Sequence, residues 1–192
     1  MISTKLNIQD YKPSDEASWL RCRVLAFLET AYYDDVLQKK ERYESESIEL
    51  VALNEDVVVG LLDIEKQKLS GETIGMIWHV ATHPDFQRCG IGKMLLAEAK
   101  RRATDLGISR LEAWTRDTGF VNDWYRNQDF KLVETYYHIF PNSDEVRRTK
   151  ILESSHENCY PICGYIHYLG NDLDYLSQFN RFHQCRRYDL VI

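Results

Sequence analysis

From Thr82 to Lys93 the chain reads Thr-His-Pro-Asp-Phe-Gln-Arg-Cys-Gly-Ile-Gly-Lys, residue types that in this order can hold an anion. Gly90 and Gly92 can take positive φ and let backbone N–H groups converge. The helix predicted to start there adds the partial positive charge of its N-terminus. Arg88 contributes a formal charge. Gln87, Arg88, Cys89, Gly90, Ile91, Gly92 and Lys93 therefore form a candidate cradle for a pyrophosphate. Two other phosphate loops do not fit. A Walker loop needs a glycine five residues before Gly92 and a Ser or Thr after its lysine, but Gln87 and Met94 stand there. A dinucleotide fingerprint needs a third glycine where Leu95 stands. A plain strand-to-helix turn is the alternative, although Gln-Arg-x-Gly-x-Gly after His-Pro is far more specific than two glycines.

Other reactive side chains give weaker signals. Cys89 lies at the expected helix N-terminus, where a thiolate is favoured, so it reads either as an oxidation-sensitive residue or as a tolerated small one. Cys159, Cys163 and Cys185 lie near His156, His167 and His183, but their spacing lacks the Cys-x2-Cys knuckle of common zinc modules, and no metal is assigned. Five cysteines, an odd number at irregular spacing, suit free thiols in a reducing compartment.

Positioning such a loop requires a strand before it and a helix after it. Apolar Met94, Leu95, Ala99, Ala103 and Leu106 recur at three- and four-residue steps opposite charged residues, with Gly107 as a stop, which predicts a helix from 90 to 106. Residues 48–53 and 57–65 read as an antiparallel hairpin around Asn54-Glu55-Asp56, and 73–82 as a third strand. Residues 4–8 alternate as a first strand. Pro13-Ser14-Asp15-Glu16 opens a helix with Ser14 as cap. A strand at 109–115, a short helix around 118–127, a strand at 130–140 and a closing strand at 185–192 follow. Residues 141–181 are left as an insertion or lid. Strands followed by a strand–helix–strand unit predict an α/β fold, a mixed and mostly antiparallel sheet with helices on both faces, in one domain spanning 1–192.

With 192 residues, a net charge of −6 and a pI near 5.5, the chain lacks the long basic surface that nucleic acid requires. The longest apolar run, Val57 to Leu62, is too short to span a bilayer, and the amino terminus shows no apolar signal core, so a cytoplasmic location is expected.

The segment Thr82 to Leu96 resembles the acetyl-CoA-binding motif of GNAT-type N-acetyltransferases, Gln/Arg-x-x-Gly-x-Gly/Ala. Val121-Asn-Asp-Trp-Tyr-Arg-Asn-Gln-Asp-Phe130 is similar to that family's Ala-x3-Tyr-x3-Gly-Phe segment. The resemblance covers about 3–140 plus the last strand. It departs at Asp129, which replaces a glycine, and near Asp117-Thr118, where the usual Asn is missing, so that Asn122 stands in for its cofactor contact. The insertion has no counterpart.

The resemblance implies transfer of an acetyl group from acetyl-CoA to a primary amine, of a small molecule or a peptide, by direct attack in a ternary complex. It implies that Val80, Ala81 and Thr82 offer backbone groups to the pantetheine arm and that Tyr125 protonates the departing thiolate. A phenol of pKa about 10 suits that role. The base stays open. Met76 and Trp78 occupy the expected inward positions, and His79 next to them should face the other side by the two-residue period. A water relay, His79 and Glu112 are the candidates, and rate should rise between pH 6 and 9 as the amine deprotonates.

Segment 29–49 carries seven acids (Glu29, Asp34, Asp35, Glu41, Glu44, Glu46, Glu49) against Lys39, Lys40 and Arg42, a field that favours a cationic acceptor if it is more than a solvated face. Tyr160, Tyr165, Tyr168 and Tyr175 equip the insertion to cap the acceptor or to form a homodimer contact. A non-catalytic acyl-CoA-binding module is the rival reading, and an interaction or metal-binding protein built on 156–185 a further one.

Overall fold

Alternating apolar residues in the first half become four antiparallel strands: β1 (Leu6–Asp10), β2 (Ser47–Asn54), β3 (Val57–Leu69) and β4 (Glu72–Thr82). The computed structural model describes residues 6–192, so Thr4 and Lys5 of the expected first strand lie outside the described residues. β5 (Arg110–Thr115) joins β4 in parallel. Beyond it the sheet continues with β8 (Phe182–Val191), β6 (Lys131–Ile139) and β7 (Ile166–Tyr168), in the order β1-β2-β3-β4-β5-β8-β6-β7. The closing strand slots between β5 and β6 and begins a few residues earlier than expected. The insertion carries α4 (Ser143–Thr149) and α5 (Leu173–Leu176), and its short β7 extends the sheet edge, a pairing its sequence did not announce.

Period-two alternation builds a core on each face. In β2, Leu50 and Ala52 pack with Leu62, Ile64 and the stripe Ile91, Leu95 and Ala99 of α2 (Ile91–Asp105), while Val51 and Leu53 pack with Trp19, Cys22 and Ala26 of α1 (Glu16–Phe27). Each fully buried aliphatic side chain contributes about 1.5–3 kcal/mol. The start of α1 differs from expectation. Ser14 sits in a 3-10 turn and caps nothing; instead the Asp15 carboxylate accepts the Lys12 backbone N–H at 2.9 Å. Segment 28–46 forms no helix but a loop across the α1 side of the sheet.

Gly60 lets α2 lie close on the sheet. A Cβ there would stand 2.4 Å from Ile91 Cγ2 and 3.2 Å from Leu95 Cδ1. Gly60→Val should therefore lower stability by about 1–3 kcal/mol through overpacking, read as an earlier midpoint in urea unfolding with an unchanged slope. An unshifted midpoint would show that α2 moves away freely.

Two irregularities shape the centre. Asp63 pairs with His79 but Ile64 pairs with Ile77, so Trp78 is an extra residue, a bulge that shifts the alternation of β4 by one. And β4 pairs with β5 only over Ile74–Ile77 and Arg110–Ala113, after which the two strands part.

Candidate active site

The parting of β4 and β5 opens a cleft of about 920 Å³, bounded by β4, β5, the start of α2, α3 (Gly119–Asn127), α1 and the loop after it. At one end, Gly90 has φ +81° at the N-cap of α2, no side chain caps the helix, and its first turn carries no acid. The helix thus presents unsatisfied N–H groups and dipole charge to the cleft. Arg88, itself at φ +63°, and Lys93 line the same end with Gln87, Ile91 and Gly92. Cys89 belongs to the loop but does not line the cleft; it is exposed, its thiol 3.5 Å from the Gln87 carbonyl oxygen.

Val80, Ala81 and Thr82 line one wall, Trp124 and Tyr125 of α3 another. Tyr125 is 4% exposed, stacked on Tyr188 at 5.3 Å with an 8° interplanar angle, with Trp124 and Phe130 at its ring edges. Burial drives its pKa above the ordinary 10, so the hydroxyl keeps its proton. The turn after α3 closes with Asp129 left-handed, φ +65°, a conformation that Asp tolerates in place of glycine. Asn122 must be reassigned. Its amide donates to the Arg116 and Thr118 carbonyl oxygens at 2.8 and 2.9 Å and accepts from the Tyr188 hydroxyl at 3.0 Å, so it is buried away from the cleft and holds α3 to β5 and β8.

His79 also needs correction. The Trp78 bulge turns it to the side of Ala81 and α1, into the cleft, against the two-residue period that would have turned it away. Its ring meets Trp19 edge-on, its Nε2 lies 2.6 Å from Glu41 Oε2, and its Nδ1 accepts from Arg23 Nε across a long 3.4 Å. When Nε2 carries the proton for Glu41, Nδ1 holds the ring's lone pair, shared only with that long bond from Arg23. The His79 hydrogen bond holds the Glu41 carboxyl below its ordinary 4.5. Glu112, by contrast, is 3% exposed, locked to Arg110 at 2.9 Å, Arg187 at 3.3 Å and the Trp114 indole N–H at 2.8 Å, and does not line the cleft.

Sequence reasoning passed over Glu41 as a partner because it sits 38 residues from His79 in a loop without periodicity. That loop is anchored next door by Lys40, whose ammonium contacts Asp63 at 2.8 Å and Glu49 at 2.6 Å, and further back by Arg23, paired with Asp35 at 3.1 Å. Asp63 is fully buried, and burial raises its pKa even against Lys40. Arg88 and Lys93 line the α2 end of the cleft, and Asp35, Glu41 and Arg23 the loop end, where the guanidinium offsets Asp35. Among the described residues, no group of three or more His, Cys, Asp or Glu is placed to hold a metal ion; Cys159 and Cys163 are exposed while Cys185 is buried. Among the described residues, no helix is long and apolar enough to cross a membrane.

The model of the acetyltransferase (GNAT) family matches residues 9–130. No curated protein matches the chain. In fold it is similar to a GNAT-family acetyltransferase from Streptococcus pneumoniae, with TM-score 0.64 and 15% identity over 98% of this chain and 100% of that one. It is similar also to the ribosomal-protein-S18-alanine N-acetyltransferase of Escherichia coli, with TM-score 0.57 and 11% identity over 97% and 94%. A third likeness is to a GNAT-family acetyltransferase from Elizabethkingia anophelis with acetyl-CoA bound, with TM-score 0.51 and 13% identity over 97% and 98%. At such identities the likeness is one of fold.

Proposed function

Because the chain belongs to the GNAT acetyltransferase family, we propose that it transfers an acetyl group from acetyl-CoA to the primary amine of a cationic acceptor, by direct attack in a ternary complex. The observation that carries this reading is that His79, paired with Glu41, and Tyr125 line one cleft whose far end is the uncapped N-terminus of α2. Acetyl-CoA supplies the acetyl group as a thioester. The α2 N–H groups, Arg88 and Lys93 bind its phosphates, and the free edge of Val80–Thr82 offers backbone partners to its extended arm. The cationic acceptor gives one proton to His79, which takes it on Nδ1 as the long hydrogen bond from Arg23 gives way, while Glu41, accepting from Nε2–H, stabilises the imidazolium. The free amine then attacks the thioester carbon and the C–S bond breaks. Tyr125 gives its hydroxyl proton to the departing sulfur and is restored by the second proton that the acylated nitrogen sheds. The segment 29–49, with seven acids against three bases, favours an acceptor that arrives as a cation. Five free cysteines fit action in the reducing cytoplasm.

The reading is tested by thiol release from acetyl-CoA mixed with the protein and a panel of cationic amines and amino acids. Turnover on one amine class is the expected result. Acetyl-CoA binding without thiol release on any amine would instead make the chain a binding module. Arg88→Ala should raise KM for acetyl-CoA by about tenfold, as one charge-assisted phosphate contact is lost, with kcat little changed. A KM that does not move would take Arg88 out of the cradle.

A further inference from the structure

The bulge that turns His79 inward leaves Trp78 on the rim of the cleft, 49% exposed, its indole N–H donating to Glu65 Oε2 at 3.0 Å. Glu65 also accepts from the backbone N–H groups of Glu44 and Ser45 at 3.2 and 3.3 Å and from the Gln67 amide at 3.1 Å. Four N–H donors thus fill its lone pairs and hold its pKa below the ordinary value, so that it is charged. All four are neutral, and among the described residues no Lys, Arg or His forms an ion pair with Glu65. Another tryptophan of the cleft, Trp114, differs here. It donates to Glu112, whose charge Arg110 and Arg187 already offset.

An indole face is the best aromatic partner for a cation, and a carboxylate held to its N–H makes the ring more electron-rich. One hydrogen bond on its edge fixes the orientation of Trp78, while its exposed surface goes without the burial that ordinarily recruits tryptophan. It stands next to His79 in the chain and borders the same cleft. We infer that Trp78, backed by Glu65, is a second acceptor subsite that binds a further ammonium or guanidinium group carried on a short stem from the amine that reacts at His79. The substrate class this selects is a diamine or polyamine, or a basic side chain bearing a second cation, over a monoamine of equal length. The inference rests on the proposed acetylation of amines and narrows it.

The test compares a short α,ω-diamine with the monoamine of the same length, by calorimetry on the full chain saturated with CoA and by acetylation rate on the full chain supplied with acetyl-CoA. The diamine should bind about tenfold more tightly. Trp78→Leu should bring it down to the monoamine's level, Trp78→Phe should keep part of the difference, and Glu65→Gln should shrink it. Equal affinity for the two amines, or a preference that survives Trp78→Leu, overturns the subsite even if both amines are acetylated. Binding that favours the diamine through Trp78, with neither amine acetylated, supports the subsite and refutes the acetyltransfer reading instead.

Discussion

Tyr125→Phe is expected to lower kcat by about 10²–10⁴-fold with KM for acetyl-CoA unchanged, because the substitution removes one proton donor and keeps the ring. The ring is what the surroundings hold: it stacks on Tyr188 and lies among Trp124 and Phe130, contacts that phenylalanine preserves. Its pKa fixes the shape of the pH profile as well. An acid must be protonated to act, and burial pushes this phenol above 10, so no alkaline decline from Tyr125 should appear through pH 9. Steady-state kinetics at several pH values would check both points. A variant that turns over at the parent rate would leave Tyr125 a packing residue.

The second large effect is expected at His79. His79→Gln keeps a polar group near Glu41 but cannot take a proton, and kcat/KM at neutral pH should fall by about 10²-fold or more. The loss should narrow as pH rises, because an amine of reference pKa about 10 then supplies more of its own free base. Glu41→Gln should cost less, since the imidazole remains and only the carboxylate that orients it and offsets its charge is gone. Parent-like rates and an unchanged pH profile in His79→Gln would return the proton to a relay of water.

Where local rules govern, the sequence was a sufficient guide. The apolar stripe of α2 and Gly90 before it predicted the left-handed turn into the helix, since helical period and left-handed backbone are written in neighbouring residues. The β2–β3 hairpin followed for the same reason. Long-range geometry was not legible. A single bulged residue, Trp78, reverses the side on which every later residue of β4 falls, and nothing in the run Met76-Ile-Trp-His79 marks it. Glu41 reaches His79 from a loop whose course is set by Lys40, Asp63 and Arg23, partners scattered over three elements. Asn122 carried the right residue type for a ligand contact, but its amide is spent on Arg116, Thr118 and Tyr188, which only the folded chain brings near.

The gap between β4 and β5 has a bearing on solubility. Past Ile77 and Ala113 each strand has an edge without a ladder partner, the kind of edge on which proteins aggregate. Here the two edges lie in the middle of an eight-stranded sheet, each still paired on its other side, β4 to β3 and β5 to β8. A strand from another molecule would have to enter the sheet between its own strands rather than dock along its border. The chain can therefore keep unpaired backbone permanently available to a slender extended guest without offering a template for self-association.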